Sequence, residues 1–128
     1  AAQTGHAVYT TTHTTGVAAT IQRMVSSFGA DERGERAYAL METMRMIVTQ
    51  ALAPKVNGGR VGVREWMKFP DDVREKLLDM DYREWSPTIQ RMIPSYGRTM
   101  AVSAKMAFEA GLIDRRWYIL LASSTGGG

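Results

Sequence analysis

Thr4-Gly5-His6-Ala7-Val8-Tyr9-Thr10-Thr11-Thr12-His13-Thr14-Thr15 holds both histidines of the chain. It lies between an entry glycine and a hydroxyl-rich turn. Residues 6–13 favour a strand, because Val8, Tyr9 and the threonines are β-branched or aromatic. They show no strict polar/apolar alternation, so a strand covered on both faces fits better than a half-exposed one. A helix follows over about 16–28. Val17, Ile21, Met24, Val25 and Phe28 share one face at 3.6-residue spacing. Thr14 or Thr15 is placed to cap it, and Gly29 closes it.

Further along, Asp31 opens a second helix in this reading. Ala37, Leu40, Met41, Met44, Ile47, Val48, Ala51 and Leu52 form one apolar stripe on it, ended by Pro54. Asn57-Gly58 is the favoured two-residue hairpin turn, with Gly59 adding freedom for a bulge. The second hairpin arm, 60–69, alternates Val61, Val63, Glu65, Met67 with Gly62, Arg64, Trp66, Lys68. It carries charge on both faces, as an edge or interface strand does. Pro70-Asp71-Asp72 starts a helix with Val73, Leu77 and Leu78 buried. Ser86-Pro87 starts another, carrying Ile89, Met92 and Ile93 and stopped by Pro94. A helix over about 99–110 is closed by Gly111. Asp114 caps a last helix whose Trp117, Leu120 and Leu121 face inward, and 123–128 is read as a flexible tail.

At 128 residues the chain is one domain or part of one, and long enough to bury a core. Apolar residues at 45% and charged residues at 23% match the globular average and exclude disordered or collagen-like classes. The net charge is +3, and twelve of the sixteen basic residues are scattered arginines, without the run that a nucleic-acid face needs. No cysteine is present, which excludes a disulfide framework, a thiolate nucleophile and thiolate-bound zinc, and suits a reducing compartment. No apolar run approaches the ~20 residues of a membrane span. Thr20-Ile21-Gln22-Arg23-Met24 recurs as Thr88-Ile89-Gln90-Arg91-Met92, but two copies of five residues are not a repeat architecture.

Few constellations carry chemistry. On one strand His6 and His13 would lie about 23 Å apart on opposite faces, so they cannot share a metal, and no metal site is expected. No GxxxxGK[ST] phosphate loop and no nucleophile elbow occur. His13 with its flanking hydroxyls stands where a strand gives way to a helix. At such carboxyl ends in open α/β sheets ligands bind, and a histidine donor there suits a phosphate or a neighbouring water. The plainer reading of the pattern alone has His13 tying down a loop and Thr10 to Thr12 filling a strand. The nine methionines allow a pliable peptide groove, but most lie on the apolar stripes and read as core.

Beyond these readings, the opening stretch resembles the His box of the secretion-ATPase superfamily, the motors of type II and type IV secretion and of pilus retraction. Thr49-Gln50-Ala51-Leu52 is similar to the family's SQxL segment. Asn57-Gly58-Gly59-Arg60-Val61-Gly62-Val63-Arg64-Glu65 is similar to its GGRxxxxE hairpin, and Pro70 to Leu78 to its xxxIRxLI helix. Arg98 to Leu121 is similar to its C-terminal helices, and the match is strongest with the Dot/Icm and conjugative-plasmid branches. The resemblance implies an α/β fold: the C-terminal part of a RecA-like P-loop ATPase domain, mostly helical in this chain, with a core strand and a β-hairpin. It implies a division into 1–69, the second half of the ATPase core, and 70–122, a C-terminal helical subdomain.

For chemistry, the same resemblance implies ATP and Mg as cofactors, bound mainly by a preceding part that carries the P-loop and the Walker B acid. His13 would be the γ-phosphate sensor. Thr10, Thr14, His6 and Arg60 would be nucleotide-binding residues, with His6 the more structural of the two histidines. The doubled threonine before His13 departs from the family pattern but leaves the histidine in place. A homo-hexamer, inner-membrane secretion components as partners, no direct nucleic-acid contact and a cytoplasmic place at the inner membrane complete what it implies. Lacking Walker A and Walker B, the chain alone is expected to be inactive. The alternative from a different class is a small helical interaction module that binds through methionine-rich faces.

Overall fold

The structure, a computed structural model, describes the backbone of residues 8–10 and 16–126 and the side-chain surroundings of 16–123. The element order is β1 (Val8–Thr10), α1 (Val17–Ser26), α2 (Arg33–Thr43), β2 (Met46–Pro54), β3 (Arg60–Lys68), α3 (Asp71–Leu78), a 3-10 turn (Tyr82–Glu84), α4 (Trp85–Tyr96), β4 (Gly97–Arg98), α5 (Met100–Glu109) and α6 (Arg115–Gly126). The four strands form one sheet in the order β1-β2-β3-β4. β1 runs parallel to β2 with Thr10 opposite Thr49. β2 and β3 pair antiparallel along their whole length, from Met46–Lys68 to Pro54–Arg60.

The largest departure from the sequence reading is the helix expected from 31 to past 52. It ends at Thr43, and Met46–Pro54 is a strand. The apolar stripe is two patterns joined end to end. Ala37 and Met41 are buried at helical spacing, whereas Ile47, Thr49 and Ala53 are buried at even spacing with Met46, Val48, Gln50 and Leu52 on the other face. Apolar residues on both faces of a strand also satisfy a helical template, so periodicity alone does not separate the two. The β-branched run Ile47-Val48-Thr49 and hydrogen-bonding neighbours on both sides decide for the strand.

Smaller departures have equally local causes. Gly16, at φ 109° and ψ 141°, rather than Thr14 or Thr15, holds the N-cap position of α1, and Glu32 rather than Asp31 that of α2. β3 is not a plain edge strand: β4 pairs with its Trp66 and Met67, and its Glu65 faces the interior. Pro94 does not stop α4, which continues to Tyr96, although the proline lacks the N–H that would bond the Gln90 carbonyl. On α6, Leu121 is buried but Leu120 is 52% exposed, and the helix continues to Gly126 across most of the stretch expected to be a tail. The caps of the two C-terminal helices follow the expected chemistry. The Val102 amide donates to Thr99 Oγ1 (3.2 Å) and the Trp117 amide to Asp114 Oδ1 (3.0 Å).

Burial divides into two apolar clusters. One joins α1, α2, α3 and α4 to Ile47 and Met67 of the sheet, with Trp85 and Phe69 at its centre. Trp85 Nε1 donates to the Leu77 carbonyl at 2.7 Å, so the indole is buried without an orphaned donor. The other joins Ala53 and Val63 to Met100, Ala104, Ile113 and Leu121 of the α5–α6 pair. β2 and β3 run through both. Gly97 is required at the start of β4, since a Cβ there would stand 2.7 Å from the Met67 Cα and collide with the Trp66 carbonyl oxygen.

A candidate functional site at the end of the first strand

Parallel pairing with β2 fixes the direction of β1, so its carboxyl end, Thr10, lies beside Thr49. Six residues later the chain returns to the same threonine: the Gly16 amide donates to Thr49 Oγ1 at 3.2 Å. Thr49 is thus in register with Thr10 at the end of β1 and holds Gly16 at the start of α1. Its hydroxyl in turn donates to the Glu65 carbonyl oxygen at 3.3 Å. α1 begins immediately after, with the Thr20 hydroxyl donating to the Gly16 carbonyl oxygen at 2.8 Å.

Glu65, the closing residue of the GGRxxxxE hairpin, has a role here that its motif did not suggest. It is 0% exposed. Its Oε2 accepts from the Val17 amide at 2.6 Å and its Oε1 from the Met100 amide at 2.9 Å. Val17 and Met100 are the first residues of α1 and α5. One carboxylate therefore satisfies unpaired amides at two helix starts, where the helix dipoles favour negative charge. Each such hydrogen bond to a charged acceptor contributes about 1.5–3 kcal/mol. A signal was available in the sequence: Glu65 is the lone carboxylate in a row otherwise made of Val61, Val63 and Met67.

Of the residues singled out by the sequence, Thr10 stands at the strand end, in register with Thr49. His6, His13 and Thr14 lie outside the described residues. Arg60 is exposed and opposite Pro54. It is five residues from Glu65 along β3, about 17 Å, and by parity on the other face of the sheet. The structure does not bring Arg60 together with the Thr10–Thr49 pair.

The described residues do not themselves build a triphosphate or Mg site. The amides of Gly16 and Val17, which could cradle a phosphate, are committed to Thr49 and Glu65. No three His, Asp or Glu residues cluster among the described residues. What the described residues offer such a site is the end of β1 and the start of α1, both beside Thr49. A groove of about 250 Å³ between α1 and α4 is less promising. Its cations are engaged, Arg33 with the carbonyls of Ser26 and Phe28 and Arg83 with Asp81. The Arg83 hydrogen bond holds the exposed Asp81 carboxyl below the usual carboxylate range.

The fold and sequence of this segment are those of known motor ATPases. Over 115 residues the chain is 33% identical to the type IV pilus retraction ATPase PilT of Pseudomonas aeruginosa, covering 90% of this chain and 33% of that protein. It superposes on the X-ray structure of the ATPase DotB of Legionella pneumophila with a TM-score of 0.77 and 40% identity, over 84% of this chain and 29% of that one. For DotB of Yersinia pseudotuberculosis the TM-score is 0.80 at 30% identity, over 88% and 29%. No protein-family model matches the chain. It therefore belongs to the secretion-ATPase superfamily, with the RecA-like fold of those proteins over the part it spans. That part is about a third of the length of the curated relatives.

Proposed function

We propose that this chain is the C-terminal part of a hexameric ATPase motor subunit that powers type IV secretion, conjugative transfer or pilus movement. The observation that carries the reading is the meeting of the end of β1 and the start of α1 beside Thr49, in a chain related to PilT and DotB. In this reading His13, between them in sequence, senses the γ-phosphate of ATP. Thr10 and Thr14 flank it, while His6 and Arg60 have secondary roles. ATP with Mg is held mainly by residues of the preceding part. The chain's own contribution is to hold the sensing segment and to pass its position to the helices. Phosphoryl transfer depends on positioning and charge stabilisation more than on covalent chemistry, so a fixed sensor has catalytic weight.

Homo-hexamer formation, inner-membrane secretion components as partners and a cytoplasmic place at that membrane belong to the same proposal. The competing interaction-module reading needs methionine-rich surfaces. Met41, Met44, Met67 and Met100 are buried, and of the nine methionines only Met106 is classed as exposed. A titration with a fluorescent ATP analogue tests the proposal. The 128-residue chain should give no saturable binding and no turnover, and the full-length protein should give both. ATP turnover by the pure chain would overturn it.

A further inference from the structure

We propose that Glu65 is a positioning residue that couples the start of α1 to the α5–α6 pair. The inference rests on the functional reading above, in which the 11–15 segment carries the nucleotide-sensing His13.

Three observations carry it. First, the two amides that Glu65 receives belong to helices in different apolar clusters, α1 in one and α5 in the other. A carboxylate that only finished one helix would not bridge them. Second, α5 does not need Glu65 for a cap, because Thr99 already accepts from the Val102 amide. The Met100 bond is an additional, long-range tie from β3 to the helix start. Third, the tie begins at Gly16, the first described residue after β1. Gly16 hangs on Thr49, Thr49 on the Glu65 backbone, and Val17 on the Glu65 side chain. The carboxylate, 0% exposed, offers each of its two oxygens to one amide, and a change at either end is felt at the other. Helix shifts of about 1–2 Å are the usual scale of switching motions. A shift of that size at Val17 breaks its bond or drags the carboxylate from Met100.

Amide hydrogen exchange on the full-length protein, with and without a slowly hydrolysed ATP analogue, tests the coupling and separates it from the functional reading. In the wild type, the analogue should slow exchange at 16–20 and at 100–104 together, each by roughly threefold or more. In Glu65→Gln the response at 16–20 should persist and that at 100–104 should disappear, with kcat reduced and KM for ATP little changed. Thr99→Ala is the control: it weakens α5 locally but should keep the paired response. A wild-type response at 16–20 alone overturns the coupling and leaves the sensor reading standing. No response at either place overturns both. A paired response that survives in Glu65→Gln also overturns the coupling. If Glu65→Gln does not fold, Glu65→Asp takes its place. The shorter carboxylate cannot span both amides, so the response at 100–104 should again disappear. A paired response that survives in it overturns the coupling.

Discussion

Replacing Glu65 by glutamine keeps the size of the side chain and removes one of its two acceptors. The amide oxygen can keep one partner, Val17 or Met100, while the new NH2 group faces the other N–H, donor against donor. Leaving one buried amide without an acceptor costs about 1–3 kcal/mol. Removing a carboxylate from the positive ends of two helices adds about 0.3–1 kcal/mol for each. The expected loss is about 2–5 kcal/mol. A kcal/mol moves the midpoint by roughly 3–5 °C for a chain of this length, so thermal unfolding followed by circular dichroism should show a Tm lower by roughly 6–25 °C. Urea unfolding should show a lower midpoint with the slope m unchanged. A Tm within about 2 °C of the wild type would refute the reasoning, since it would mean both amides find other partners.

Two glycines offer independent checks of the backbone. Gly97→Ala forces a Cβ into the β3 backbone at Trp66 and Met67 and should destabilise by about 3 kcal/mol, read from urea midpoints. Gly62→Ala is the comparison, because its Cβ meets only the movable Gln50 side chain and should cost much less. Gly16→Ala places an L-residue at φ 109° and should cost about 1–3 kcal/mol, with faster amide exchange over the first turn of α1 as its signature. A stability equal to wild type in Gly16→Ala would mean that the turn into α1 relaxes freely.

Much of this architecture is legible in the residues, for stated reasons. The hairpin, the Pro70 helix start, the Asp114 cap and the apolar face of α1 rest on local chemistry, which short stretches encode. The two-residue Asn57-Gly58 turn does not form: the Gly58 amide donates to the Lys55 carbonyl, so Val56 and Asn57 are the central residues, and the positive φ falls on Gly58 and Gly59. β2 was not legible, because its identity depends on two strands that are distant in the chain. An apolar residue on each face of a strand mimics a helical stripe until those neighbours are known. The candidate site follows the same division. The junction of β1 and α1 was visible as a strand meeting a helix. What holds the start of α1 was not, since Thr49 reaches Gly16 from 33 residues away and Glu65 reaches Val17 from 48. Glu65 was read as part of a strand charged on both faces, as an edge or interface strand is, and as the last residue of the GGRxxxxE hairpin. Its meaning lies in which amides surround it, and only the fold decides that.

The central claim is that the segment after β1 senses nucleotide through His13. Steady-state ATP hydrolysis by the full-length protein, wild type against His13→Ala, tests it most directly. Loss of one positioned donor to a transferring phosphoryl group should lower kcat by about 100-fold, with KM for ATP changed little. An unchanged kcat, or a loss carried entirely by KM, would contradict the account.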